Sequence, residues 1–154
     1  MNDAWKVRLF GWLKVPMIGY VRPKVAYVDD DRVDVFVPLR RRTKNHLGSM
    51  YFGALSVGAD VAGGYLAMRR IQQAKRPVSF VFQDVRGEFL RRPTGDVLFR
   101  CQDGQAVQRI VDQTLLDGAR HATTVAVVCT VPSEGDAPVA RFELTLSVKA
   151  KSSK

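Results

Sequence analysis

The chain has 154 residues, 46% hydrophobic and 25% charged, which suits one folded globular domain with a proper core and excludes a disordered or low-complexity chain. A formal net charge of +9 and a pI near 10.0 favour an anionic partner: nucleic acid, an anionic membrane or a phosphorylated small molecule. Cys101 and Cys129 sit in strand-like segments without metal-ligand spacing, so they read as reduced structural thiols of a cytoplasmic protein, and no metal is expected.

In chain order, residues 3 to 15 place Trp5, Leu9, Trp12 and Leu13 on one stripe behind Asp3 as a cap. The spacing predicts a short amphipathic helix ended by Pro16. Its alternative is a membrane-surface anchor, because Lys6, Arg8 and Lys14 oppose two tryptophans. Those charges also interrupt any secretory signal, and the expected location is cytoplasmic. Val25 to Val28 and Val33 to Leu39 read as paired strands about the turn Asp29-Asp30-Asp31-Arg32. That turn lacks the spaced Gly and terminal Glu of a calcium loop.

The stretch from Asn45 to Met68 dominates the chain. From Met50 to Met68 its one charge is Asp60, and it reads as a buried helix capped by Ser49. A membrane span needs about 20 apolar residues, and Asp60 at the centre would cost roughly 2.5–3.5 kcal/mol. Both flanks are basic as well, so stable membrane insertion is not expected. At about 100° per residue, Gly53, Ser56, Val57, Asp60, Gly63 and Gly64 share a face of small side chains around one carboxylate. Tyr51 lies about two and a half turns from Asp60 and points the other way, so a site using both must draw them from different subunits.

Further on, Val78 to Leu90 reads as a long strand, buried early and exposed late, and Val97 to Cys101 as another. Asp103-Gly104 opens a second helix with Val107, Ile110, Val111 and Leu115 on one face, and Asp117-Gly118 stops it. Ala122 to Val131 and Val139 to Val148 complete the strands, and Lys151 to Lys154 is a frayed tail behind a single domain over residues 1–150. This order predicts an α+β fold, an antiparallel sheet wrapped around a long central helix.

Asn45-His46-Leu47-Gly48-Ser49-Met50-Tyr51-Phe52-Gly53, followed by Asp60, resembles the N-x-x-G-x-x-H-G-G-x-x-x-x-x-x-D pattern of the hotdog-fold acyl-CoA thioesterases, PaaI-like branch. Asn45, Gly48, Gly53 and Asp60 match in type and spacing. Tyr51 stands where the family has His, and Phe52 where it has the first Gly, as in an uncharacterised subgroup with Tyr-Phe-Gly. The resemblance implies the hotdog fold, an acyl-CoA substrate carrying coenzyme A, and no separate cofactor. It also implies a homodimer or a dimer of dimers, with Asp60 as base or nucleophile. Backbone at Gly53 or Phe52 would hold the oxyanion, and Asn45 would orient water or carbonyl. Tyr51 can donate one hydrogen bond but cannot act as a base near neutral pH.

Each role has a plainer counterpart. Asp60 would fix a dimer, Asn45 would close an Asx turn, and Arg40, Arg41, Arg42 and Lys44, otherwise suited to coenzyme A phosphates, would form a solvated loop. His46 and His121 read as surface or packing residues. The expected activity is thioester hydrolysis, with a non-catalytic hotdog protein that binds acyl thioesters or lipids as the alternative. A nucleic-acid-binding module is the third reading, disfavoured by the missing aromatic pair and helix-turn-helix.

Overall fold

The structure is a computed structural model that describes residues 14–74 and 76–151. The amphipathic helix expected over residues 3 to 15 falls almost wholly outside them. Pro16 itself opens a helix, α1 (Pro16–Val21), where its missing N–H and fixed φ suit a first turn. Arg22 closes α1 in the left-handed conformation, φ 59°, and donates its amide to the Ile18 carbonyl.

Six strands form one antiparallel sheet in the order β1-β2-β4-β5-β6-β3. They are β1 (Lys24–Val28), β2 (Val33–Val37), β3 (Val78–Phe89), β4 (Val97–Cys101), β5 (His121–Thr130) and β6 (Pro138–Ala150). Val33, Val35 and Val37 of β2, Phe99 and Cys101 of β4, and Val125 and Val127 of β5 are fully buried. The period-2 alternation therefore puts their partners on the outer face. Pro38 marks the end of β2, which lies inside the sheet rather than at its edge.

Against the inner face lies α2 (Phe52–Gln73), about 33 Å long at 1.5 Å per residue. Ala54, Leu55, Ala59, Ala62 and Leu66 are buried, and glycines let the helix approach closely. A Cβ on Gly58 would collide with the Phe99 ring, and one on Gly63 would stand 3.3 Å from both Leu144 and Val125. A sheet curled about one long helix is the hotdog plan.

The helix start differs from expectation. α2 begins at Phe52 with Tyr51 as its N-cap, not at Ser49, because Tyr51 N–H is drawn to the Thr43 carbonyl and Met50 N–H to Pro93. Ser49 instead exchanges hydrogen bonds with Asn45. α3 (Gly104–Asp117) packs Val107, Ile110 and Val111 inward and ends at Gly118, φ +74°. Asp103 takes the N-cap position without a side-chain cap bond. Its carboxylate accepts from Ala126 N–H at 2.7 Å and ties α3 to β5.

Cys101 and Cys129 are buried free thiols; burial pushes the Cys101 thiol up to about 11 and the Cys129 thiol further still. Among the described residues no helix is long and apolar enough to cross a membrane.

Candidate functional site

Asp60 lies on the half-open side of α2, where Gly53, Ser56 and Val57 are also half-buried. Its carboxylate opens into a hollow of about 380 Å3. The α2 stripe Asp60, Val61, Gly64, Tyr65 and Met68 forms the floor; Val15 with Ile18 of α1 and Phe80, Val81 and Phe82 of β3 form the walls. Among the described residues, Asp60 is the one charged residue in that lining. Among the described residues its carboxylate makes no hydrogen bond or ion pair, and burial alone pushes its pKa above the ordinary carboxylate value.

A second hollow, about 490 Å3, opens at the start of α2 and holds Asn45, His46, Tyr51, Phe52, Arg91 and Arg92 among its lining. The Asn45 side chain is used within its own loop. Its oxygen accepts from Leu47 N–H at 2.9 Å and Ser49 N–H at 3.2 Å, while Gly48 takes φ +80° to let the turn close. The turn presents Tyr51, whose ring tilts against Phe52 with centroids 4.6 Å apart. It also lies over Gly53, where a Cβ would come within 2.5 Å of the ring, so glycine there permits this pose. The amides of Phe52, Gly53 and Ala54 begin α2 without an intrahelical acceptor, and no side chain caps them. They leave the positive end of the helix dipole beside the Tyr51 phenol.

Asn45, Tyr51 and Gly53 thus come together, while Asp60 sits about 10 Å further along the helix axis than Gly53, in the other hollow. Arg40, Arg41 and Arg42 gather around Tyr20 of α1 in a third, shallow depression. Thr43, fully buried, fixes that loop by donating to the Pro38 carbonyl and accepting from Arg40 N–H, both at 2.8 Å. Lys44 bridges back to Met50 and lines neither hollow. His46 lines the Tyr51 hollow. His121, read as a surface or packing residue, sits 2.8 Å from the Asp117 carboxylate.

Sequence reasoning missed two groups. Arg91 and Arg92 stand in the Tyr51 hollow; their signal was a dibasic pair at the end of β3. Phe80 and Phe82 wall the Asp60 hollow; their signal was the apolar opening of that same strand.

Residues 4–148 match a family model described as a domain of unknown function, DUF4442. No curated protein matches the chain. Among solved structures, a protein of unknown function from Chlorobaculum tepidum TLS superposes with a TM-score of 0.82 at 13% identity, over 96% of this chain and 94% of that one. A Pseudomonas aeruginosa protein of unknown function, described as a probable thioesterase, gives 0.78 at 20% identity, over 98% and 99%. A thioesterase from Haemophilus influenzae gives 0.70 at 14% identity, over 94% and 88%.

Proposed function

This chain belongs to the DUF4442 family, a domain of unknown function, and from that premise we propose that it hydrolyses an acyl-CoA thioester at a site completed by a second copy of itself. The observation that carries the reading is Asp60: a carboxylate unpaired among the described residues, in an apolar hollow and on a helix face of small residues. Burying such a group without a partner is costly, and such cost concentrates where chemistry uses it. The fold shared with thioesterases of low identity agrees with that use.

As a base, ionised Asp60 takes a proton from water while the water oxygen adds to the thioester carbonyl. Collapse of the tetrahedral intermediate breaks the C–S bond, and the carboxyl proton passes to the leaving thiolate. As a nucleophile, Asp60 would add to the carbonyl itself and break the C–S bond, expelling the thiolate to take a proton from water; water then cleaves the mixed anhydride to the free acid and restores the carboxylate. Either route needs donors for the oxyanion. The free amides at Phe52 and Gly53 are of that type, but they lie at the other hollow of the same chain. A partner subunit's helix start supplies them instead, with Tyr51 donating one hydrogen bond and Asn45 holding the loop that presents it.

The open edge of β3, with Val81, Val85 and Phe89 exposed, is the surface for that partner. Arg40, Arg41, Arg42 and Lys44 are the phosphate-binding residues expected from sequence, and Arg91 with Arg92 stand nearer the helix start. Coenzyme A enters only as part of the substrate, and nucleic acid is not a partner.

A second reading draws on Tyr51: with a phenol where the resembled family has His, the protein would bind acyl thioesters without cleaving them. Thiol release from short, long and aromatic acyl-CoAs separates the two. Wild type should turn over at least one of them, and Asp60→Asn should slow it by about 10²–10⁴-fold. No turnover above background with any acyl-CoA overturns the hydrolase and leaves the binder.

A further inference from the structure

We propose that the Asp60 hollow receives the saturated hydrocarbon tail of a medium-chain acyl group, and that Gly64 and Met68 set the length it accepts. The proposal rests on the thioester reading for the head of the ligand, but the tail is argued from the hollow itself. Asp60, Gly64 and Met68 are spaced by four residues on one helical face, so they form a straight floor leading away from the carboxylate. From Asp60 to Met68 the floor runs about 12 Å, and with C–C bonds of about 1.5 Å an extended chain of roughly eight to ten carbons covers that length.

The hollow has room for it. A cavity of about 150 Å3 holds the six carbons of benzene, and this one measures about 380 Å3. Beyond Asp60 the lining is, among the described residues, hydrocarbon, aromatic ring and thioether. Among them the one other residue bearing a polar side-chain group, Tyr65, is itself buried. A hydroxylated or charged acyl group would lose its water there without a matching partner. A saturated tail loses nothing.

Gly64 makes the passage wide enough. A Cβ there would stand 3.2 Å from the Phe80 ring and 3.4 Å from the Phe82 ring, tightening the space between floor and wall. Gly64→Ala therefore narrows the hollow midway, while alanine remains the better helix former. Met68→Trp fills its far end without touching the middle.

The test measures kcat/KM for straight-chain acyl-CoAs of two to sixteen carbons. In parallel, it measures Kd for the matching S-alkyl coenzyme A thioethers, which cannot be hydrolysed. Each methylene inside the hollow should improve both by about fourfold, the effect of about 0.8 kcal/mol, with a plateau near ten carbons. In Gly64→Ala and Met68→Trp the plateau should come at least two carbons earlier, and circular dichroism melts check that each variant is folded. Should one variant not fold, the other decides. A flat dependence on chain length, or a plateau unmoved in the folded variants, overturns the proposal. Thioether binding that climbs and levels in this way without any turnover upholds the tail site and sinks the hydrolase. Turnover that ignores chain length does the reverse.

Discussion

At Asp60, function and stability pull in opposite directions. Burial favours the protonated acid in the folded chain, so its pKa stands above the unfolded value. A group raised in this way contributes stability below the unfolded pKa, and that contribution is lost as pH rises through the folded pKa. Asp60→Asn should therefore raise the thermal midpoint at pH 7–8 and give no gain near pH 3, as differential scanning calorimetry would record. A carboxylate that merely fixed structure through hydrogen bonds would show a loss at neutral pH. The acid limb of the pH–rate profile should fall as Asp60 takes up its proton, at a pH above that of an ordinary aspartate.

Asp34 is the opposite case. It is 5% exposed and lies on the outer side of β2, gripped by Nε and Nη2 of its cross-strand partner Arg100 at 2.9 Å and by Arg32 at 3.0 Å. Asp34→Ala should strand two guanidinium groups that still reach water, at a cost of about 1–2 kcal/mol in urea unfolding. Sequence patterning singled out Asp60 because it is the one charge in a long apolar run. It gave no weight to Asp34, whose partner is distant in the chain and becomes adjacent only through the β2–β4 register.

Elements were legible where a single local rule governs them, and obscure where a distant backbone group does. β4 spans the residues that its alternation marks, and Gly118 ends α3 where a left-handed residue is needed. The start of α2 follows a different logic. Ser49 has the right chemistry for a cap, but Thr43 and Pro93 accept the amides of Tyr51 and Met50 and move the first turn on. Gly58 escaped notice because its reason is the Phe99 ring across the core, not the small-residue face of its own helix. A methyl group there would gain about 1 kcal/mol of helix propensity. It would also force a fully buried ring to move, at a cost of about 1–3 kcal/mol. Gly58→Ala should thus unfold at a lower urea midpoint than wild type, while Gly64→Ala, whose Cβ meets only ring edges at ordinary or slightly tight distances, should lose less.

For the whole molecule, the decisive fact is that the acid and the helix-start amides open into separate hollows. If two chains share each site, a chain lacking Asp60 and a chain with a spoiled helix start carry complementary defects. Gly53→Ala supplies the second defect, since its methyl group displaces the Tyr51 ring from the amides. In a mixed dimer of Asp60→Asn and Gly53→Ala, one site receives both damaged halves and the other receives both intact ones. Random reassortment makes half the dimers mixed, so mixing two nearly inactive preparations should restore about a quarter of wild-type activity. A self-contained site would restore nothing. Val85→Lys, which sets a charge on the exposed edge of β3, adds a control: light scattering should show a shift towards monomer, and recovery on mixing should vanish when both partners carry it. A Val85→Lys monomer, otherwise wild type, that kept the dimer's activity would place the second half of the site within the same chain.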